Sequence, residues 1–597
     1  MDLPLSNPPT NKELSFLLRS VSAALTIKNA DKFRVLAYQK AADSIENASQ
    51  EASNLYNNNE LHNLPAIGGS IYAHLKDIFQ SGQSSYIDEI FQGLPAGMFA
   101  ILPIPGIGPK HAYKLALNLG LTRYHSAITK LQKSARQNEI QQISGYKADF
   151  EAKVLRNIEE YNQIQSNPRI LLHIADKISQ EIMSYMRQVP QVDKIYALGS
   201  LRRRVATVGD LDFAVSTLEP QMVIDHFIAY PQSSHTIARG EVKASIIVNN
   251  QYHVDLITQS PSKFGALLLH FTGSKFHNIK LREHAISQGF SLSEHGLLDK
   301  SNQTISSTSE EEIYQKLHMS WIPPEIREGK NEIQLAIQNK IPQLVQLNDL
   351  KGEFHIHSDF NIEPSHDLGI SSMTQMIEFA RQNNYQYLAF SEHNPSKSNH
   401  DFSQIINLVK NKNKTIQDLN IQESARETNP VKIFNSLEID IEPDGNLALP
   451  IEAFDYLDFA VVSLHSSFQQ DIDTTTNRII KALSTHPKAK ILGHPTGRTL
   501  LRRQGVNADW EKIFKYCAQH DKWLDIDGWP DRLDLPDSLI YEAKRFGVKF
   551  VISSDAHQVD HMSMIKYGVD TARRGWATPS DIINTYPLNK LQKLLPQ

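Results

Sequence analysis

Asp210 and Asp212 stand two apart in GDLDFAV (209–215), and His355 and His357 stand two apart in GEFHIHSDF (352–360). Side chains alternate faces along a strand, so each pair turns both groups to one side, with Cα atoms ~7 Å apart. Carboxylates so placed offer oxygen ligands to two hard cations that clamp an in-line phosphoryl transfer. A third carboxylate, Asp255 in HVDL, falls in a neighbouring strand-like run, and Gly199-Ser200 lies ten residues upstream of the pair, where a phosphate tail would be received. Alone, Asp-x-Asp is more often a solvated strand end and His-x-His a polar surface pair. What the rest of the chain supplies decides between these readings.

The chain has 597 residues, too many for one core, and ordinary apolar content. No run of eighteen apolar residues suggests a membrane span, and MDLPLSNPPT lacks the regions of a signal peptide, so a cytoplasmic protein is expected. Cys517 is the single cysteine, which excludes disulfides within the chain and thiolate zinc sites; a metal must be held by His, Asp and Glu. Net charge is +1 over residues 1–345 and −6 over 346–597. That is not the footprint of a protein that coats DNA, and the acidic half suits a cation site.

Residues 11–50 carry helical periodicity, with Leu14, Leu17, Leu18, Val21 and Leu25 on one face. LPAIGGSIYAHL (64–75) and IPGIGPKHAYKL (104–115) echo one another: proline, small residue, Ile, Gly, then a helix. Strand-like runs follow at 194–200, 209–215, 243–250 and 251–258, the last two joined as a hairpin. A mostly helical stretch then runs to about 345 and includes WIPPEIREGK, read as a tether. After 350, seven β-rich runs alternate with helical stretches: GEFHIHS, YLAFSEH, KIFNSLEIDI, DFAVVSLHS, AKILGHP, KWLDIDG and KFVISSDAH. Six end in His, Asp or Glu, and KWLDIDG carries the pair Asp525 and Asp527. Strand alternating with helix predicts a parallel sheet closed into a barrel, with these polar ends gathered in one bowl.

GSLRRR…GDLDF, HVDL and HFTGSKFHNIKLREHA (270–285) resemble the palm and thumb of a family X DNA polymerase, the DNA polymerase beta group. The resemblance implies that Asp210, Asp212 and Asp255 bind two Mg²⁺ ions and that Asp255 activates the primer 3′ hydroxyl. Gly199, Ser200 and Arg203 then hold the incoming deoxynucleoside triphosphate, Phe271 and Gly273 flank its sugar, and Asn278 touches its base. The two echoes become helix-hairpin-helix motifs, with Gly68, Gly106, Gly108 and Lys110 at DNA phosphates. Three positions depart from the pattern. His74 stands where the beta-type lyase lysine would be, and imidazole forms no Schiff base, so no such lyase activity is expected; Lys76 has the wrong helical phase. His270 replaces the tyrosine of a Tyr-Phe pair, and His253 replaces an arginine before Asp255.

The second half resembles the polymerase-and-histidinol-phosphatase (PHP) domain of bacterial family X polymerases, through HIHS, SEHNP, LEID, SLHS, ILGHPTGR, PDRLDL and ISSDAH in order. This implies a distorted (β/α)7 barrel holding up to three Mn²⁺ or Zn²⁺ ions on His355, His357, His393, Glu438, His465, His494, Asp555 and His557. For a ninth ligand Asp367 is chosen, with Asp359 and His366 as alternatives. Glu392 stands where an aspartate usually precedes the histidine. Arg498 is a phosphate contact or a surface charge, and His400, His486, His520 and His561 are assigned nothing.

The expected protein is a multidomain α/β DNA-repair polymerase. Residues 1–85 and 86–150 would carry the two hairpin motifs, 151–260 the palm, 261–330 the thumb, 331–349 a linker, 350–575 the PHP domain and 576–597 a tail. It would act as a monomer on gapped or primer-template DNA, filling short gaps and processing 3′ ends by a Mn²⁺-dependent 3′→5′ exonuclease. The rival readings are a nuclease with a weakened polymerase half that positions DNA, and a non-enzymatic binder of gap ends.

Overall fold

The computed structural model describes residues 8–46, 52–64, 66–104, 106–166, 169–249, 251–301 and 303–596. These form two compact units, Met1–Pro168 and Arg169–Gln597. No helix among the described residues is long and apolar enough to cross a membrane.

The first unit is all helical. Its opening helix, Asn11–Ile27, starts at a capping box in which Thr10 and Glu13 satisfy each other's backbone N–H groups. Leu14, Leu17, Leu18, Val21 and Leu25 face the core as their spacing predicts. A second helix, Lys32–Glu46, packs beside it. Three later helices, Gly69–Ser81, Pro109–Asn118 and Ala148–Ser166, each follow a tight turn.

In the second unit a five-stranded sheet comes first: β1 (Lys194–Ala197), β2 (Leu211–Ser216), β3 (Ser233–Arg239), β4 (Lys243–Val248) and β5 (Tyr252–Gln259). Its order is β1-β2-β5-β4-β3, and β2 and β5 run parallel with Asp212 opposite Asp255. Val254 and Leu256 enter the core, so alternation turns Asp255 to the other face.

The stretch after the sheet differs from the helical reading. Two helices, Phe264–Thr272 and Lys275–Ser287, are followed by a small sheet of three-residue strands, Ser291–Ser293, Gly296–Leu298 and Thr304–Ser306. Strands of three residues leave no periodicity to read. WIPPEIREGK is not a tether: Ile322, Ile326 and Arg327 are buried, and Arg327 forms a two-pronged pair with buried Glu310. The expected linker 331–349 is likewise packed, with Glu332 buried against His277 Nδ1 (2.9 Å).

Seven runs form the barrel, as expected: β6 (Gly352–Ile356), β7 (Tyr387–Phe390), the interrupted run of β8 (Lys432–Asn435) and β9 (Glu438–Asp440), β10 (Ala460–Ser463), β11 (Ala489–Gly493), β12 (Trp523–Asp527) and β13 (Lys549–Ser553). KIFNSLEIDI is one run interrupted at Ser436-Leu437: Ser436 N–H donates to the Phe390 carbonyl (3.0 Å) and Val461 N–H to the Leu437 carbonyl (2.9 Å), so it keeps β7 on one side and β10 on the other. All strand pairings are parallel; the bridge His393–Glu438 continues the pairing of β7 with the interrupted run, and the bridge Ile356–Ala556 closes β6 on the end of β13. The tail is packed over residues 576–596. Asn584 donates to the carbonyls of Gly352 and Ile552 (2.8 Å each) and accepts from Ile552 N–H (2.7 Å), tying β6 to β13.

Candidate metal centres

The C-terminal ends of the barrel strands converge on Glu438. Its Oε2 lies 3.1–3.5 Å from ring nitrogens of His355, His357 and His393, and its Oε1 lies 2.8 Å from His494 Nε2 and 3.3 Å from His465 Nε2. Asp555 Oδ1 is 3.1 Å from His357 Nε2, and Asp367 reaches both His393 and His557 at 3.4 Å. All nine residues of the expected set thus meet in one bowl. Four groups of donors lie within 4.8 Å of one another: His357/His393/His557, His355/His357/Glu438/Asp555, His393/Glu438/His465 and His366/Asp440/His465.

The donor chemistry fits cations. His355 Nε2, both nitrogens of His357, His393 Nδ1, His557 Nε2 and Asp555 Oδ1 are buried with no hydrogen-bond partner. Such groups are costly unless something else satisfies them. Imidazoles around a shared carboxylate suit Mn²⁺ or Zn²⁺. His494 (φ +26°) and Asp555 (φ +52°) hold left-handed backbone conformations that residues with a Cβ rarely adopt. Burial would raise the Glu438 carboxyl, but His355, His393 and His465 hold it well below the usual carboxylate range.

A second layer orients these donors. Asp525 accepts from His355 Nδ1 (3.2 Å) and Ser553 Oγ (2.7 Å); Asp440 receives His465 Nδ1 (2.5 Å) and His366 Nε2 (2.9 Å). Of the three alternatives for the ninth position, Asp367 therefore meets the cluster's histidines, His366 is turned to Asp440, and Asp359 is exposed without an ion pair to them. Glu392 binds Ser358 Oγ and buried Lys412 (both 2.5 Å), which steadies the strand end that carries His357.

Over the bowl lies a cavity of about 390 Å³ whose walls include Phe468, Arg503, Trp529, Arg532 and His561. Arg503 stacks on Phe468 (3.8 Å), and Trp529 meets His561 edge-on. His561 was assigned nothing and proves to be part of this wall. Arg498 is neither a phosphate contact nor a surface charge: it is drawn inward and donates to the carbonyls of Arg532 and Leu533. Phe468, Arg503, Trp529, Arg532 and His561 sit on loops and a short turn, where no periodicity marks them.

In the first sheet, Asp212 is pushed up to about 7 by burial and by the neighbouring charges of Asp210 and Asp255. Asp210 is exposed, just before β2. These three are not among the tight donor groups. A cation from β4 stands with them: Lys243 Nζ lies 2.9 Å from Asp255 Oδ2, closer than His253 Nε2, which is 3.7 Å from Oδ1. Ser245 Oγ also donates to Asp255. The signal for both was the hairpin register, which sets Ser245 opposite Asp255.

Gly199 takes φ +55°, and a Cβ there would lie 3.4 Å from Asp212 Oδ2, so the Gly-Ser turn adjoins the carboxylates. Arg203 is engaged within the protein, donating to the Thr272 carbonyl (2.7 Å) and to Glu328 (3.1 Å); a Cβ on Gly273 would lie 3.2 Å from it. Phe271 is exposed, and Asn278 donates to the His270 carbonyl (2.8 Å).

In the helical unit, Gly68 and Gly108 cap their helices, and a Cβ on either would meet nothing within 4 Å, so the turns face open space. Gly106 takes φ +77°, and Lys110 is exposed at the start of its helix. The partnering prolines at 65 and 105 lie outside the described residues. A third turn has the same build: Gly145 (φ +84°) in ISGYKADF leads into Ala148–Ser166 as Ala66 (φ +62°) and Gly106 lead into theirs. The echo lay in the sequence, without the second glycine.

A helix-hairpin-helix domain signature matches residues 9–84, and a DNA polymerase beta thumb signature matches residues 267–328. The DNA polymerase/3′-5′ exonuclease PolX of Bacillus subtilis is 30% identical over 587 residues, 98% of this chain and 99% of that protein. This chain belongs to the family X DNA polymerases. Two further relatives match part of this family X chain. Rat DNA polymerase lambda is 23% identical over 49% of the chain and 50% of its own length. A protein of Thermoanaerobacter sp. named a probable phosphatase is 27% identical over 28% of the chain and 69% of its own length.

Proposed function

We propose that this family X chain fills short gaps in DNA by nucleotidyl transfer and processes 3′ ends by phosphodiester hydrolysis at the barrel, within cytoplasmic base excision repair and as a monomer. The observation that carries the second activity is the convergence of six histidines, Glu438 and two aspartates, with buried nitrogens of His355, His357, His393, His494 and His557 left without a hydrogen-bond partner. Mn²⁺ or Zn²⁺ on these residues would supply an activated water and neutralise charge on the phosphate. The chain's own part is to orient the donors through Asp525 and Asp440 and to present Arg503 and Arg532 to the phosphate.

In the palm, Asp210, Asp212 and Asp255 fit Mg²⁺ as hard oxygen donors; the raised Asp212 carboxyl is a group that a cation would relieve. Lys243 and Ser245 fix the Asp255 carboxylate, which takes the primer hydroxyl's proton. Gly199 and Ser200 offer backbone and hydroxyl donors to the triphosphate, and Gly68, Gly106, Gly108 and Lys110 grip the DNA backbone whatever its sequence. A nuclease with a weakened polymerase half is favoured by one observation only, the engagement of Arg203 and Asn278 within the protein. A 5′-labelled primer on a one-nucleotide gap tests the proposal. The wild type should extend it by one residue with Mg²⁺ and nucleotides and shorten it with Mn²⁺ alone; shortening without extension would leave only the nuclease reading.

A further inference from the structure

The segment after the Gly-Ser turn is held from three sides. Arg202 pairs with Glu310 of the thumb (2.8 Å), and Arg203 reaches the Thr272 carbonyl and Glu328. Arg204, in a left-handed conformation (φ +57°), pairs with Asp176 (2.6 Å) beneath the palm sheet and with Asp570 (2.7 Å). Asp570 belongs to Ile565–Arg574, a helix of the hydrolase barrel. From the same helix Tyr567 donates to Asp176 (3.2 Å), and Arg574 donates to the backbone carbonyl of Arg203 (2.8 Å).

The decisive atom is Glu328 Oε1. It accepts from Arg203 Nε (3.1 Å) and from Arg574 Nη1 (2.9 Å), while Arg574 Nη2 is anchored on Asp537 (2.8 Å). Arg574 and Arg203 share one carboxylate. Arg574 thus draws off part of the attraction that would keep Arg203 on Glu328, and it pins the Arg203 backbone. Both effects favour a guanidinium free to swing to a triphosphate from a segment that stays in place.

We propose that the barrel helix Ile565–Arg574 is a working part of the polymerase, with Arg574 and Asp570 positioning the nucleotide-binding segment Gly199–Arg204 from within the hydrolase domain. This rests on reading that segment as the triphosphate cradle. Neither residue contacts the metal bowl or the aspartates, so each is a positioning residue and its removal should act on nucleotide affinity.

The test is steady-state filling of a one-nucleotide gap by the full chain, with 3′ shortening in Mn²⁺ measured on the same preparations. Arg574→Ala should raise the KM for the nucleotide about tenfold with kcat within threefold, and shortening should stay within twofold of wild type. Glu328→Gln in the Arg574→Ala background removes the charge that holds Arg203 and should return the KM to within threefold of wild type; Asp570→Asn should raise it as Arg574→Ala does. An unchanged KM in Arg574→Ala, a parallel fall of both activities, or no recovery on adding Glu328→Gln would overturn the proposal. If the wild type incorporates no nucleotide, the cradle reading itself fails and takes this inference with it. A normal wild-type KM with an insensitive Arg574 refutes the coupling alone.

Discussion

At the scale of residues, chemistry was most legible where one side chain type has few uses. His355-x-His357 and Asp210-x-Asp212 were ambiguous alone and became legible through the runs around them, and the structure places each of the expected barrel donors within reach of a neighbour. Residues that act through others were not legible. Asp525 was visible only as half of an Asp pair, yet it receives His355 Nδ1 from a strand 170 positions away. Outer partners of this kind tune ligands by about 10–100-fold. Asp525→Ala should therefore weaken Mn²⁺ binding by that order, measured by titration calorimetry, while gap filling is unchanged; equal Mn²⁺ affinity would refute the role. His74 gives a second residue-level outcome. Its ring stacks on Tyr86 (4.1 Å), whose ring Arg34 also approaches (5.2 Å). Borohydride reduction with an abasic-site substrate should trap no covalent adduct, and an adduct mapped to the helix Gly69–Ser81 would contradict this.

At the scale of elements, apolar runs ending in a ligand gave the barrel strands, because parallel strands buried on both faces read as continuous apolar runs. The interruption of KIFNSLEIDI at Ser436-Leu437 was illegible, since it leaves the composition of the run unchanged. The thumb's tight junction was also hidden, because Glu310, Arg202 and Arg327 are far apart in sequence. Burial alone would raise the Glu310 carboxyl, but Arg327 and Arg202 hold it below the ordinary carboxylate range. A folded pKa depressed below the unfolded one gives stability that is present above the unfolded value near 4.5 and lost as pH falls below it. Glu310→Gln, which strands buried Arg327, should cost roughly 3–5 kcal/mol at pH 7. The penalty should shrink below pH 4.5, as urea melts at pH 7 and pH 4 would show; a pH-independent difference would contradict it. In the barrel, a Cβ on Gly493 would lie 2.3 Å from Ser463 Oγ and 2.6 Å from Val461 Cγ1. Gly493→Ala should destabilise by about 1–3 kcal/mol through overpacking, read as a lower Tm. An unchanged Tm would show that β10 and β11 part more easily than their contacts suggest.

At the scale of the whole molecule, the chain carries two separate sets of donors, carboxylates on the first sheet and imidazoles around Glu438 in the barrel, and the proposed function gives each its own chemistry. The alternation of strand and helix after 350 separated them in the sequence. What it hid is that the five-stranded sheet, the thumb and the barrel form one compact unit, joined through Arg203, Arg204, Glu328 and Arg574, so that residues 331–349 and 576–596 are structural parts of that unit. The central claim is that each chemistry has its own site. Its most direct test is a 5′-labelled primer on a one-nucleotide gap, followed with and without nucleotides in Mn²⁺. Wild type is compared with Asp210→Ala/Asp212→Ala and with His355→Ala/His357→Ala. Extension should vanish only in the aspartate variant and shortening only in the histidine variant. Loss of both activities in either variant, or shortening that survives without His355 and His357, would contradict two separate sites.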